Sequence, residues 1–148
     1  MKQKIITLVL ALAILSISTP QTTAQNAASK RSNTLDLKQV MQGLLQDNIQ
    51  INEGIFSQDF QKIDSAASHI ANHPKPAMTT LKKVIGYLGK EMPTFKSHDI
   101  KVHNEALEIS KSAKQKNIND VMNHYQNMLD GCLACHNQFK ERVSKILN

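Results

Sequence analysis

The segment Cys132-Leu133-Ala134-Cys135-His136 constrains this chain more than any other stretch of it. Two cysteines flank two residues, and a histidine follows at once. At that spacing two thiols can add across the two vinyl groups of one porphyrin, and the next histidine can ligate its iron from below. These are the only two cysteines in the chain. Three other uses of the pair compete. A disulfide across two intervening residues is tightly constrained geometrically. A redox dithiol of the thioredoxin kind calls for a βαβ context that the sequence lacks. A zinc site needs further ligands, and no second cysteine pair supplies them.

The chain has 148 residues and opens with Met1-Lys2-Gln3-Lys4, then an apolar run from Ile5 to Ile17. That run suits the core of a signal peptide better than a bilayer span. An uncleaved anchor extending towards Thr19 is the alternative. Residues 1–24 are therefore expected to be removed after Ala24, with Ala27 and Ala28 as alternative sites. Residues 25–33 read as a flexible arm and residues 34–148 as one domain. Haem is attached covalently outside the bacterial cytoplasmic membrane, so export and the motif agree on the periplasm.

The formal charge is +6, and losing Lys2 and Lys4 brings it to +4. Two haem propionates would lower it further. A mildly basic protein favours an acidic redox partner or an anionic surface. No basic cluster is interleaved with aromatics, which argues against nucleic acid. Aromatics are scarce, with four Phe, two Tyr and no Trp. A haem would supply the large flat apolar group that such a core lacks.

Apolar residues recur at steps of three and four throughout, and no alternating run bounded by turn residues suggests a strand. Helix one is expected over 34–55, capped by Asn33 or Thr34. Leu37, Met41, Leu44, Ile51 and Ile55 form its stripe, and Val40, Leu45, Ile49 and Phe56 widen it. Helix two follows a turn at Gly54 and Ser57, with Phe60, Ile63, Ala67 and Ile70 inward, and stops at His73-Pro74-Lys75-Pro76. A long connection over 73–93 holds a short helix, Thr80 to Leu88, ended by Gly89. Pro93 opens helix three, which carries Phe95, Val102, Ala106, Ile109 and Ala113. Helix four runs from Ile118 to Ile146, capped by Asn117 or Asn119, with the cysteine motif inside it. The short first loop makes helices one and two antiparallel neighbours, so the expected fold is an all-α, left-handed, antiparallel four-helix bundle.

A Cys-x-x-Cys-His motif on the last of four helices resembles the class II cytochromes c, the cytochrome c-prime family. Phe139-Lys140 falls where that family has an aromatic followed by a basic residue. The resemblance covers residues 34 to 147. It implies one haem c per chain, held by Cys132 and Cys135, with His136 as proximal ligand. The family divides at the other face of the iron. One branch leaves that site open or blocked and binds nitric oxide or carbon monoxide. A low-spin branch places a helix-one methionine there and carries electrons, and Val40-Met41 lies where that methionine would fall. The family often has an arginine about one turn earlier; Leu37 stands here instead. Lys38 partly replaces it as a propionate contact, and Lys140 is a second such candidate. Homodimers formed through the first two helices are common in the family.

The sequence also narrows the distal ligand. His136 approaches from helix four, so the sixth ligand must come from the opposite face of the ring. Met122 and Met128 share the helix of His136. Met78 and Met92 lie in the long connection. Met41 is on helix one and early enough to reach the haem end of an up-down-up-down bundle, although a methionine on a helix stripe is commonly plain core. Histidines 69, 73, 98, 103 and 124 offer a bis-histidine alternative, with His103 best placed. No carboxylate pair is placed for acid–base catalysis and no glycine-rich phosphate loop occurs. The expectation is a periplasmic one-electron carrier rather than an enzyme. A five-coordinate gas binder is the alternative, and a disulfide-bearing helical binding module without haem is the remote one.

Overall fold

The computed structural model describes residues 35–148. The expected signal peptide, the arm and the caps Asn33 and Thr34 lie outside them. Among the described residues the regular structure is entirely helical: α1 (Leu37–Ser57), α2 (Phe60–Ala71), α3 (Met78–Leu88), α4 (Met92–Lys114), α5 (Ile118–Cys135) and α6 (Glu141–Leu147). A 3-10 turn, Gly89–Glu91, joins α3 to α4, and a π turn, His136–Lys140, joins α5 to α6. None of these helices is long and apolar enough to cross a membrane.

Three of the starts are set by a capping side chain. The Asp36 carboxylate accepts the Gln39 amide at 2.7 Å, and the Gln39 side chain accepts the Asp36 amide at 2.9 Å. This reciprocal box starts α1 at Leu37, later than position 34. Asp59 caps α2 by accepting from Lys62 N–H at 3.0 Å. Asn117 caps α5 through the Asp120 amide. Gly89 ends α3 at a φ of +50°, a conformation open to glycine at little cost.

Four long helices pack together: α1 on α2, α2 on α4, and α4 on α5. Small residues let them approach closely. Ala66, Ala67 and Ala71 of α2 and Ala106 and Ala113 of α4 are all buried in one core with Ile51, Ile63, Ile70, Ile109, Val121 and Met128. A polar link runs through this layer. Ser110 Oγ donates to Asp64 Oδ1 at 2.5 Å and lies 3.2 Å from Ser68 Oγ. Lys114 Nζ donates to Ser110 Oγ at 3.2 Å. No buried side-chain polar atom among the described residues lacks a partner.

A second, smaller core holds α3 against the chain's last turns: Val84 and Leu88 meet Phe139 and Val143. Phe95 contacts Phe139 edge to face, with centroids 5.4 Å apart. The expected single helix from 118 to 146 is thus interrupted by the π turn. The wider turn coincides with full burial of Phe139, which is 1% exposed. Tertiary packing rather than local propensity selects it.

The tightest backbone approach is at Gly54, where α1 turns into α2. A Cβ there would meet Ile63 Cγ1 at 2.7 Å and the Asp59 carbonyl at 3.2 Å. Gly54→Ala should therefore destabilise the fold by about 1–3 kcal/mol through overpacking, read as a lowered midpoint in urea unfolding with little change in slope. Gly43 has nothing within 4 Å of such an atom. Gly43→Ala should not destabilise, which separates the packing effect from the loss of a glycine.

Candidate functional site

The motif straddles the last turn of α5 and the start of the π turn. Cys132 and Cys135 are half-buried free thiols, and His136 is exposed. Cys135 packs against the smaller core, beside Val84, Leu88, Phe139 and Val143. Burial pushes both thiols up from their ordinary value, Cys135 to about 11, with Cys132 and Asp99 adding to the effect at Cys135. At neutral pH both stay protonated. A thiol kept as S–H is a poor candidate for dithiol exchange, which works through the thiolate. Such thiols still have the S–H bonds that addition to two vinyl groups consumes.

The histidines separate clearly. His69 Nδ1 lies 3.4 Å from Asp47. His73 Nε2 lies 3.2 Å from Asp99 Oδ1. His98 Nε2 lies 3.3 Å from Gln138 Oε1, and its ring meets Phe139 edge on. His103 Nδ1 lies 2.7 Å from the Ala71 carbonyl. His124 Nδ1 lies 2.8 Å from Glu105. Among the described residues only the His136 ring has no such partner. Its two nitrogens are not committed to the fold.

No three His, Cys, Asp or Glu side chains among the described residues converge to hold a metal ion. A protein-only zinc site at the motif lacks its ligands there. A porphyrin would bring four nitrogens of its own, and the chain would have to add only donors to its iron, of which the motif could supply one, His136.

Two apolar stripes are left without cover by the described residues. On α1 the broad stripe splits: Val40 and Ile51 are buried, whereas Met41, Leu45, Ile49 and Phe56 are exposed. On α5, Met122 and Leu133 are exposed on the helical face that continues to His136, with Leu129 half-buried between them. Met41 is thus not consumed as core, and Met122 is exposed as well. Helix α1 packs on α2 and not comparably on α5. Its first turn nevertheless reaches the motif end, since Leu37 packs against the same small core as Cys135. Met41 lies one turn beyond Leu37. Lys38 and Lys140 are both exposed and form no ion pair with a described residue.

Three features near the motif have no signature in the sequence. Gly131, directly before Cys132, is buried under α4: a Cβ there would meet Val102 Cγ2 at 3.2 Å and the stem of Lys101 at 3.4 Å. Arg142 makes a two-pronged pair with Glu91, at 2.7 and 2.9 Å, and stacks over Tyr87 at 5.7 Å. The third is His73–Asp99, which ties the chain after α2 to α4. A cleft of about 270 Å³ lies elsewhere, between α1 and the end of α2. Val40, Leu44, Asp47 and His69 are among its lining residues, and no motif residue is. A cleft lacking both thiols cannot be where they act.

No known protein family, curated protein or solved structure matches this chain.

The His73–Asp99 pair gives a pH signature. The Asp99 hydrogen bond holds His73 above its ordinary 6.5, and His73 holds Asp99 below its ordinary 3.8. The histidine's contribution is complete below about pH 6.5 and is lost as pH rises through its raised folded value. The aspartate's is complete above about pH 3.8 and is lost as pH falls through its lowered folded value. Half-exposed, the pair is worth under about 1 kcal/mol. Urea unfolding should show stability easing as pH rises past neutrality, and His73→Gln should flatten that slope. An unchanged slope in the variant would assign it to another group.

Proposed function

We propose that this chain is a mono-haem cytochrome of the class II type, a periplasmic one-electron carrier built on an antiparallel, left-handed four-helix bundle. The observation that carries the reading is the pairing of chemistry within one turn: two protonated, half-buried thiols and an uncommitted imidazole, at the spacing a porphyrin's vinyl groups and iron require.

In this reading Cys132 and Cys135 form the thioethers, each S–H adding across one vinyl C=C so that the proton stays on the product. His136 is the proximal donor. Bound there, the haem supplies an iron that cycles between ferrous and ferric states. The rest is the chain's work. The wide π turn and the buried Phe139 fix the backbone from which His136 projects. The uncovered stripes of α1 and α5 provide apolar walls for a large flat group in a core with few aromatics. Met41, exposed and one turn from the motif-end core, is the distal donor, and a thioether–imidazole pair raises the potential relative to harder donors. Lys38 and Lys140 have no ionic partner among the described residues and suit the propionates. His103 Nδ1–H donates to the Ala71 carbonyl, which leaves Nε2 as its free donor and keeps His103 as the alternative distal ligand.

Absorption spectra of the matured protein, oxidised and reduced, should be those of low-spin haem, and reduced protein should take up carbon monoxide only slowly. Met41→Ala should convert the oxidised spectrum to high spin and open the iron to carbon monoxide. A native protein already high-spin would make it a gas binder. A Met41→Ala variant still low-spin would move the distal ligand to another residue.

A further inference from the structure

Charge is distributed unevenly along this chain. Residues 72–101 and 140–145 carry nine basic and three acidic side chains, a net of +6. The rest of the described chain carries five basic and nine acidic, a net of −4. The modest charge of the whole therefore conceals a basic platform. Its parts are joined in space, since α3 packs on α6 and on the turn leading into α4.

We infer that the outward side of α3, the 3-10 turn and the first turns of α4 form a docking surface for an acidic redox protein, placed next to the haem motif. This rests on the reading of the chain as an electron carrier. Lys82, Lys83, Lys90 and Lys96 are all exposed, and none has an ionic partner among the described residues. The two acids on these elements are already engaged: Glu91 pairs with Arg142 and Asp99 with His73. Four lysines without an ionic partner among the described residues are thus gathered along these elements. Beside the lysines the same helix exposes Met78 and Ile85. An apolar patch with a charged rim is the anatomy of a protein interface.

The platform is rigid and close to the chemistry. Val84 and Leu88 anchor the inner side of α3 in the core that also holds Cys135. The Arg142–Glu91 pair and the Tyr87 stack pin its C-terminal end to α6. Lys101 lays its stem over Gly131, beside Cys132. A partner seated here would have only α3 and its inner residues Val84 and Leu88 between it and Cys135. An anionic membrane fits less well. An interfacial helix needs a broad apolar face, and eleven residues exposing Met78, Ile85 and Tyr87 do not make one.

The test uses the matured, full chain, with the acidic copper protein plastocyanin as probe and anionic phosphatidylglycerol vesicles as the rival. Binding is followed by amide shifts, which need no electron transfer, and the exchange rate is measured separately against ionic strength. Shifts should cluster on α3, on residues 89–101 and on α6. Neutralising the platform (K82Q/K83Q/K90Q) should weaken binding and slow exchange by about tenfold or more at low salt. An equal neutralisation elsewhere (K62Q/K111Q/K116Q) should change either by less than about threefold. Equal effects of the two triple variants, shifts centred on the α1 stripe, or capture by vesicles but not by plastocyanin would each overturn the docking surface. Protein without haem that still binds the probe through α3 would overturn the carrier reading and leave the surface standing.

Discussion

The close seating of α4 between α2 and α5 is the contact on which the rest depends. Alanines at 66, 67, 71, 106 and 113 are all buried. Without bulky side chains there, the backbones approach closely and the isoleucines interlock around them. The polar link from Asp64 through Ser110 to Lys114 fits the same layer, its hydroxyls short enough to lie between helices. Fixing α4 fixes the motif, because Val102 and Lys101 close over Gly131 just ahead of Cys132. The bundle's geometry and the position of the two thiols are one problem solved by small residues.

The second constraint is local to the chain's end. Phe139 is the largest fully buried side chain, and Phe95, Val84, Leu88 and Val143 surround it or its cluster. Truncating an aromatic in such a position typically costs about 3–5 kcal/mol. The π turn that carries it also carries His136. The imidazole is solvent-facing and uncommitted, but the backbone behind it is held by one of the most buried residues in the protein. A ligand that must bind a metal reproducibly needs that combination of free donor and fixed root.

Helical periodicity showed the all-helical architecture, the four long helices, the short helix before Gly89 and the Asn117 cap. It failed where physical context decides. The box between Asp36 and Gln39 was written in the sequence, but two polar residues further upstream offered equally good local signals, and the choice between them depends on which turn can be buried. The breadth of the α1 stripe was legible; its division into an inner set led by Val40 and Ile51 and an outer set led by Met41 and Leu45 was not, since a period alone does not say which side meets a neighbour. The Arg142–Glu91 pair and the Ala71 carbonyl partner of His103 join residues 32 or more positions apart and leave no local trace. The spacing of Cys132, Cys135 and His136 was legible at once, because it lies within about a single helical turn, at the end of α5 and the start of the π turn.

The central claim is a covalent one, that both cysteines are consumed by a single porphyrin. The measurement that meets it most directly is the intact mass of the purified mature chain, denatured after expression with cytochrome c maturation machinery. The account expects the chain plus one haem, stable to unfolding and acid extraction, with no thiol left to alkylate, and expects Cys132→Ala together with Cys135→Ala to return the bare mass. A native chain at its bare mass with two alkylatable thiols, or two hydrogens lighter with a disulfide, would contradict it.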